Sequence, residues 1–396
     1  MKLYAQHGWG KAHKIDRGLD DRVVSGVILS PHDETPADMQ TFVSELARRR
    51  PQPDLLLDPQ LYVSLIAGAA EGKLPQYGYF RQNLGLRDFA TVRNVQSIVR
   101  ECIDFQRNLE LSHILSPTIC ADSFTDRSAQ ISLTLAQESI DYWQGLRDNR
   151  PLLISVVFSE LALAHSQQVS EFLDNISLFE TDGFYLLVER NSAVYSQDFH
   201  PPRLAQIMRM IYALKRSRFE IVCGYSDFTN LLYAAVNADA GATGWSQKLK
   251  RFNRGRFQPS AGGRRPRDRY SSSRLINSIY LTELDACQDV QRLRAVKSDT
   301  AYDRCFDGNS YPSGISWSSE DGTLHHWASI LQLLERVNRL NGRGRLDEVS
   351  QIISSGQNLY RTLTRLGVTF EPPNGSAHLD DWAEAIATLL AEVRIQ

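Results

Sequence analysis

The sequence is short of cysteine and has no long apolar run. Its five cysteines, Cys102, Cys120, Cys223, Cys287 and Cys305, are an odd set scattered over 396 residues with no Cys-x-x-Cys pair. That excludes a disulfide framework and the ligand spacing of a zinc ribbon. The longest apolar stretches, such as 152–158 and 184–188, fall far short of the roughly 20 residues a membrane span needs. The stretch from Met1 to Gly8 turns polar within a few positions and has no leader-like apolar core. The expected setting is therefore the reducing cytoplasm, away from membranes.

Several chemical signatures are missing as well. There is no G-x-S-x-G elbow, no phosphate loop of the G-x-x-x-x-G-K-[ST] type and no G-x-G-x-x-G after the first strand. A His-x-His after that strand would suggest a metallohydrolase, but Pro31-His32-Asp33 stands there, and the adjacent His325 and His326 point different ways on a helix. Neither an obligatory metal nor a cofactor is expected.

What the chain does have is an uneven charge distribution. The 44 Lys and Arg nearly balance 46 Asp and Glu, for a net charge of −2. Yet residues 248–274 hold ten basic side chains against the single acid Asp268, so the remainder carries 34 basic and 45 acidic groups. A basic island sits on an acidic body.

Short aliphatic runs alternate with longer helix-period segments. Strands are expected at Val23–Leu29, Asp54–Leu57, His113–Leu115, Leu152–Phe158, Phe184–Val188, Phe219–Cys223, Ala240–Thr243 and Leu275–Leu281, with helices between them. Eight strand-then-helix units imply parallel pairing, because each crossover returns the chain to the same end of the sheet. The fold expected is α/β, a (β/α)8 TIM-type barrel, with an open doubly wound sheet as its competitor. Lys2–Gln6 could be an extra strand or the first one. Residues 1–300 would form the barrel, with a basic loop 245–274 between strands seven and eight. Residues 301–396 would add a loop and a three-helix C-terminal extension, whose helices could serve a homo-oligomer or a protein partner.

In such a barrel, function lies where strands end and their following loops begin. That rim would carry His32-Asp33-Glu34, Asp58 with Gln60, Asp122, Glu160, Glu189-Arg190, Tyr225 with Asp227, and Glu283. Asp and Ser after strands commonly cap the next helix, which is the plainer reading of Asp33, Asp38 and Asp126. Glu160 and Glu189 follow apolar strands directly and need partners if buried. They are taken, with Asp122 and Asp227, as candidate acid/base catalysts.

The basic segment offers a second set, namely Lys248, Lys250, Arg251, Arg254, Arg264, Arg265, Arg267 and the aromatic Trp245. Arg presents a planar fork to phosphate, interleaved aromatics stack bases, and a connection of this length is unusual unless functional or disordered. The two sets together suggest a barrel enzyme acting on a phosphate-bearing substrate, either a nucleotide, a sugar phosphate or nucleic acid. Hydrolysis or transfer at a glycosidic bond through paired carboxylates would suit it. The alternative is a non-enzymatic nucleic-acid-binding or assembly subunit that uses the barrel as a scaffold. A deep pocket at the mouth would favour the first and a plugged mouth the second.

Overall fold

The computed structural model describes residues 1–192, 195–259, 262, 267–304, 311–315 and 318–393. Arg264 and Arg265 lie outside the described residues.

Eight positions of parallel strand enclose a barrel. In chain order the strands are β1 (Lys2–Gln6), β2 (Gly26–Leu29), β3 (Asp54–Leu57), β4 (Ile114–Leu115), β5 (Cys120–Ala121), β6 (Leu152–Ser159), β7 (Gly183–Glu189), β8 (Glu220–Cys223) and β9 (Ala240–Thr243). Their spatial order is β3-β2-β1-β9-β8-β7-β6-β4, with β5 also on β6. β4 and β5 are two pieces of one position, pairing with the lower and upper parts of β6. Pro117 lies between them, where a residue without N–H interrupts pairing. No ladder joins β3 to β4. Ser112 bridges that seam, donating its N–H to the Leu55 carbonyl at 2.9 Å and accepting from Leu55 N–H at 2.7 Å. This is a nearly closed TIM barrel.

The crossover helices are α1 (Lys14–Asp20), α2 (Pro36–Ala47), α3 (Val92–Arg107), α4 (Arg127–Gln144), α5 (Ser166–Ile176), α6 (Pro201–Arg216) and α7 (Asn230–Ala235). Period-two burial on the strands explains the layering. Tyr4, Ile28, Leu56, Leu153, Val157, Tyr185 and Leu187 fill the interior, while alternate residues such as Leu3, Val27, Leu55 and Ile154 pack outward with the helices.

Two expectations change. Lys2–Gln6 is the first barrel strand, paired with both β2 and β9. The expected strand eight, Leu275–Leu281, is not in the barrel: β11 (Asn277–Tyr280) pairs antiparallel with β10 (Arg269–Ser272) as a separate hairpin. The basic segment therefore follows the last barrel strand instead of lying between strands seven and eight. The misreading has a physical source, since apolar alternation marks a strand without saying which sheet it joins.

Beyond the hairpin come short helices α9 (Leu281–Asp289) and α10 (Leu293–Val296), after the single turn α8 (Gln247–Lys250). The long helices α11 (Ser319–Asn338), α12 (Arg343–Arg365) and α13 (Ala377–Glu392) form the C-terminal helical extension. Ser318 caps α11 by accepting the Asp321 N–H at 2.9 Å. The extension is held to the barrel by fully buried Trp327, whose indole N–H donates to the Thr243 carbonyl at the end of β9, at 3.0 Å. Among the described residues, no helix is long and apolar enough to cross a membrane.

Candidate functional site

The strand ends do carry the polar residues, but the first part of the basic segment closes over them. Gly244 starts the cover. A Cβ there would come within 2.4 Å of Leu249 and 2.8 Å of the Gln6 carbonyl, so only glycine permits the chain to fold back so tightly. From Leu249 to Gln258 the segment crosses the mouth. Phe252 accepts the Arg190 N–H through its carbonyl at 2.9 Å, and Phe257 accepts the Ala70 N–H at 2.5 Å. Both phenyl rings are fully buried. They pack edge-on against Tyr62, with ring centres 5.3 and 6.0 Å away. The mouth is plugged by the chain itself.

The charges of the segment are met by the rim. Arg254 donates to Glu189 through its Nε at 2.8 Å and its backbone N–H at 3.0 Å, and reaches Asp122 at 2.6 Å. Arg256 donates to Asp33 at 3.3 Å and to the Tyr225 hydroxyl. Its guanidinium lies 5.2 Å from the Tyr225 ring centre and 4.7 Å from that of Phe257. Arg251 donates to the Ser192 carbonyl at 2.5 Å. Lys250 is buried, correcting the exposed setting its neighbours suggest, and burial pushes its pKa down to about 8. Lys248 is exposed, and Trp245 is half-buried, with its N–H on the Trp9 carbonyl at 2.9 Å. Arg267 lies elsewhere, on the hairpin side, where it forks onto Glu371 at 2.6 and 2.8 Å.

The four candidate carboxylates do not meet as one group. Glu189 and Asp122 share Arg254. Glu160 faces Arg190 at 3.6 Å and accepts the Asn191 N–H at 3.1 Å. Asp227 sits in a separate buried network, taking bonds from Tyr195 and from Gln197 at 2.6 Å, with His326 at 3.1 Å. Burial keeps His326 neutral, pushed down to about 4, with its other nitrogen 2.8 Å from the Ser271 hydroxyl. Glu283 accepts from the backbone of Tyr280 and Glu371 and from Asn374, away from the rim. Of the expected helix caps, Asp126 caps α4 through the Ala129 N–H at 2.7 Å, whereas Thr35 caps α2.

A different pair of carboxylates occupies the mouth. Asp58, at the end of β3, is fully buried, and its carboxylate accepts Tyr62 OH at 2.8 Å, Tyr185 OH at 3.4 Å and Gln60 N–H at 3.1 Å. Burial pushes its pKa up to about 6 against those bonds and the nearby charge of Arg256. Asp33, after β2, is less enclosed, with its side chain 8% exposed. Burial opposes its ionisation too, yet His32 and Arg256 hold it down to about 2. Gln60 and Tyr225, which flank this pair, both adopt left-handed backbone with φ of 55° and 52°. Such strain persists only where surroundings enforce it. Asp58 and Asp33 are visible in the sequence as rim positions, but Arg256, Tyr62 and Tyr185 carry no motif.

Cys120, Asp122 and Glu189 bring potential ligand atoms within 4.8 Å of one another. Burial pushes the Cys120 thiol well above its usual range, and Arg254 already satisfies both carboxylates, so the donors suit an ion pair better than a soft metal.

No family model and no curated protein matches the chain. Among solved structures it is similar to dihydrodipicolinate synthase from Oceanobacillus iheyensis, at 11% identity over 98% of this chain and 95% of that one, with a TM-score of 0.30. That likeness is too slight to carry any statement about chemistry.

Proposed function

We propose that the chain is a barrel enzyme of the carboxylate acid/base type, with Asp58 as the proton-exchanging group and Asp33 as its permanently charged companion. The observation that carries this reading is the pair itself. Two carboxylates at adjacent strand ends are driven in opposite directions, one up to about 6 and one down to about 2. Environments that split a pair in this way assign the acid/base roles in enzymes that cleave or transfer groups with two carboxylates. Asp58 would give and take the proton, steadied by Tyr62 and Tyr185, and residues 249–258 would be a cover that lifts to admit substrate.

A phosphate-bearing substrate on the basic segment gains less support. It would have to displace Arg254 from Glu189 and Asp122, and Arg267 from Glu371. The scaffold reading has one observation in its favour, the filled mouth with Phe252 and Phe257 fully buried.

The two readings separate by turnover. Wild-type protein, Asp58→Asn and the opened variant Phe252→Ala would each be incubated with a small-metabolite extract and followed by mass spectrometry. The enzyme reading expects at least one compound consumed by wild type and spared by Asp58→Asn. No consumption by either wild type or Phe252→Ala would favour the scaffold.

A further inference from the structure

The plug reports on what the mouth is built to hold. Arg256 is a guanidinium placed by the chain into a pocket of defined chemistry, with a charged carboxylate, Asp33, at its edge and a tyrosine face, Tyr225, beside it. Asp58 adds a second carboxylate close enough for Arg256 to lower its pKa. A planar cation with an acid at its rim, a tyrosine hydroxyl to receive an N–H and aromatic rings within cation–π range suits guanidinium recognition, and a compact ammonium uses less of it.

Arg256 does not satisfy everything around it. Gln6, which is wholly buried, accepts the Tyr225 N–H at 3.3 Å through Oε1 and faces the Tyr185 hydroxyl with its amide. Ser155 is only 4% exposed, and among the described residues its hydroxyl has no partner. It occupies an inward position on β6 in register with Tyr185, whose hydroxyl reaches Asp58. Buried polar atoms without partners are uncommon in folded proteins and call for an explanation. A ligand reaching past the guanidinium into the barrel would offer the Ser155 hydroxyl a partner. Removing the cover would also leave the mouth acidic, because Asp33, Asp58, Asp122 and Glu189 would lose Arg254 and Arg256 together.

We propose that the mouth is a binding site for a guanidinium-bearing small molecule, for which Arg256 is the chain's own occupant in the closed state. This rests on the reading of the mouth as a reaction centre and names the class of substrate it would take. In the closed chain the occupant competes with the ligand. Lifting residues 249–258 exchanges one guanidinium for another, so the acidic pair keeps a cation beside it.

The test is occupancy of the vacated pocket. Arg256→Ala would be titrated with methylguanidinium and with agmatine while thermal unfolding is followed, with methylurea as the neutral planar control and methylammonium as the compact cation. Both guanidinium compounds should raise the midpoint of Arg256→Ala by about 2 °C or more as the site fills, since a ligand specific to the native state stabilises it. Methylurea should give no rise, methylammonium a smaller one, and wild type, with its pocket occupied, little response to any of them. Equal responses to methylguanidinium and methylurea, or equal responses in wild type and variant, would overturn the proposal. Should Arg256→Ala not fold, Arg256→Gln keeps the first part of the side chain without the charge and still vacates the place of the guanidinium. Failure of both guanidinium compounds to stabilise that variant more than wild type would overturn it equally. Because the readout is stability without turnover, a negative result removes the ligand class and leaves the role of Asp58 to the metabolite assay.

Discussion

The basic island is a single feature of the sequence and two different things in the fold. Residues 249–258 turn inward, so that Arg254 and Arg256 neutralise buried rim carboxylates while Phe252 and Phe257 fill the barrel mouth. Residues 267 and 268 stay outside, where Arg267 stacks over Tyr280 with the ring centre 3.6 Å away and pairs with exposed Glu371. The same residue type thus does opposite work on the two sides. Inside the mouth, losing an arginine strands an acid in a poorly solvated place; outside, water replaces it.

The strongest way to break the comparison is through the apolar part of the plug. Phe252→Ala should cost about 4 kcal/mol, the usual penalty for a fully buried phenyl ring, measured by chemical denaturation. A loss near zero would mean that the cover contributes nothing to the closed state.

Next comes the pH dependence of Asp58, whose pKa is about 6 folded against an ordinary 3.8. Between those values the folded chain holds a proton that the unfolded chain has released. That proton's stabilisation is fully present below pH 4 and is lost as pH rises through 6, to the extent of about 3 kcal/mol. Asp58→Asn should therefore gain on wild type by that amount between pH 4 and 7. A difference that does not vary with pH would place Asp58 in a wet, ordinary setting.

Arg254→Ala leaves Glu189 buried with only a backbone N–H beside it. The cost should be about 2 kcal/mol, below the full penalty for a broken buried pair because the Arg254 head is partly in water, and Glu189→Gln in the same background should recover part of it. The smallest effect belongs to the outer region. Arg267→Ala should leave the melting temperature unchanged within error, and a clear loss there would erase the contrast between the two halves.

Much of this architecture was legible in the residues. Seven of the eight barrel strands, their parallel sense and the helical extension follow from the alternation of short aliphatic runs with amphipathic segments. Lys2–Gln6 was ambiguous because it is short and its inward positions are Tyr4 and Gln6, which makes half the strand look polar. That polarity exists because the strand reaches the mouth. Leu275–Leu281 misled for the opposite reason, being apolar enough for a barrel strand while its partner is the local Arg269–Ser272.

The site was legible as a place and not as a constellation. Asp58, Gln60, Asp33 and Tyr225 could be read as rim residues by counting from strand ends. Nothing in the spacing indicated which of the rim acids a cation would neutralise. Arg254 and Arg256 are two residues apart yet reach Glu189 and Asp33, on opposite sides of the mouth. Charge counted along a chain gives the sum, and only the fold assigns the pairs.

The central claim is that residues 249–258 are a cover over a working centre and not a permanent stopper. Amide hydrogen exchange tests it most directly through three protons: Arg254 N–H bound to Glu189, Arg190 N–H bound to Phe252, and Ala70 N–H bound to Phe257. If the segment lifts, these three should exchange together in an opening less costly than global unfolding, well before the amides of β7. If they exchange only when β7 does, the plug is part of the core and the account of the mouth as a covered reaction centre is wrong.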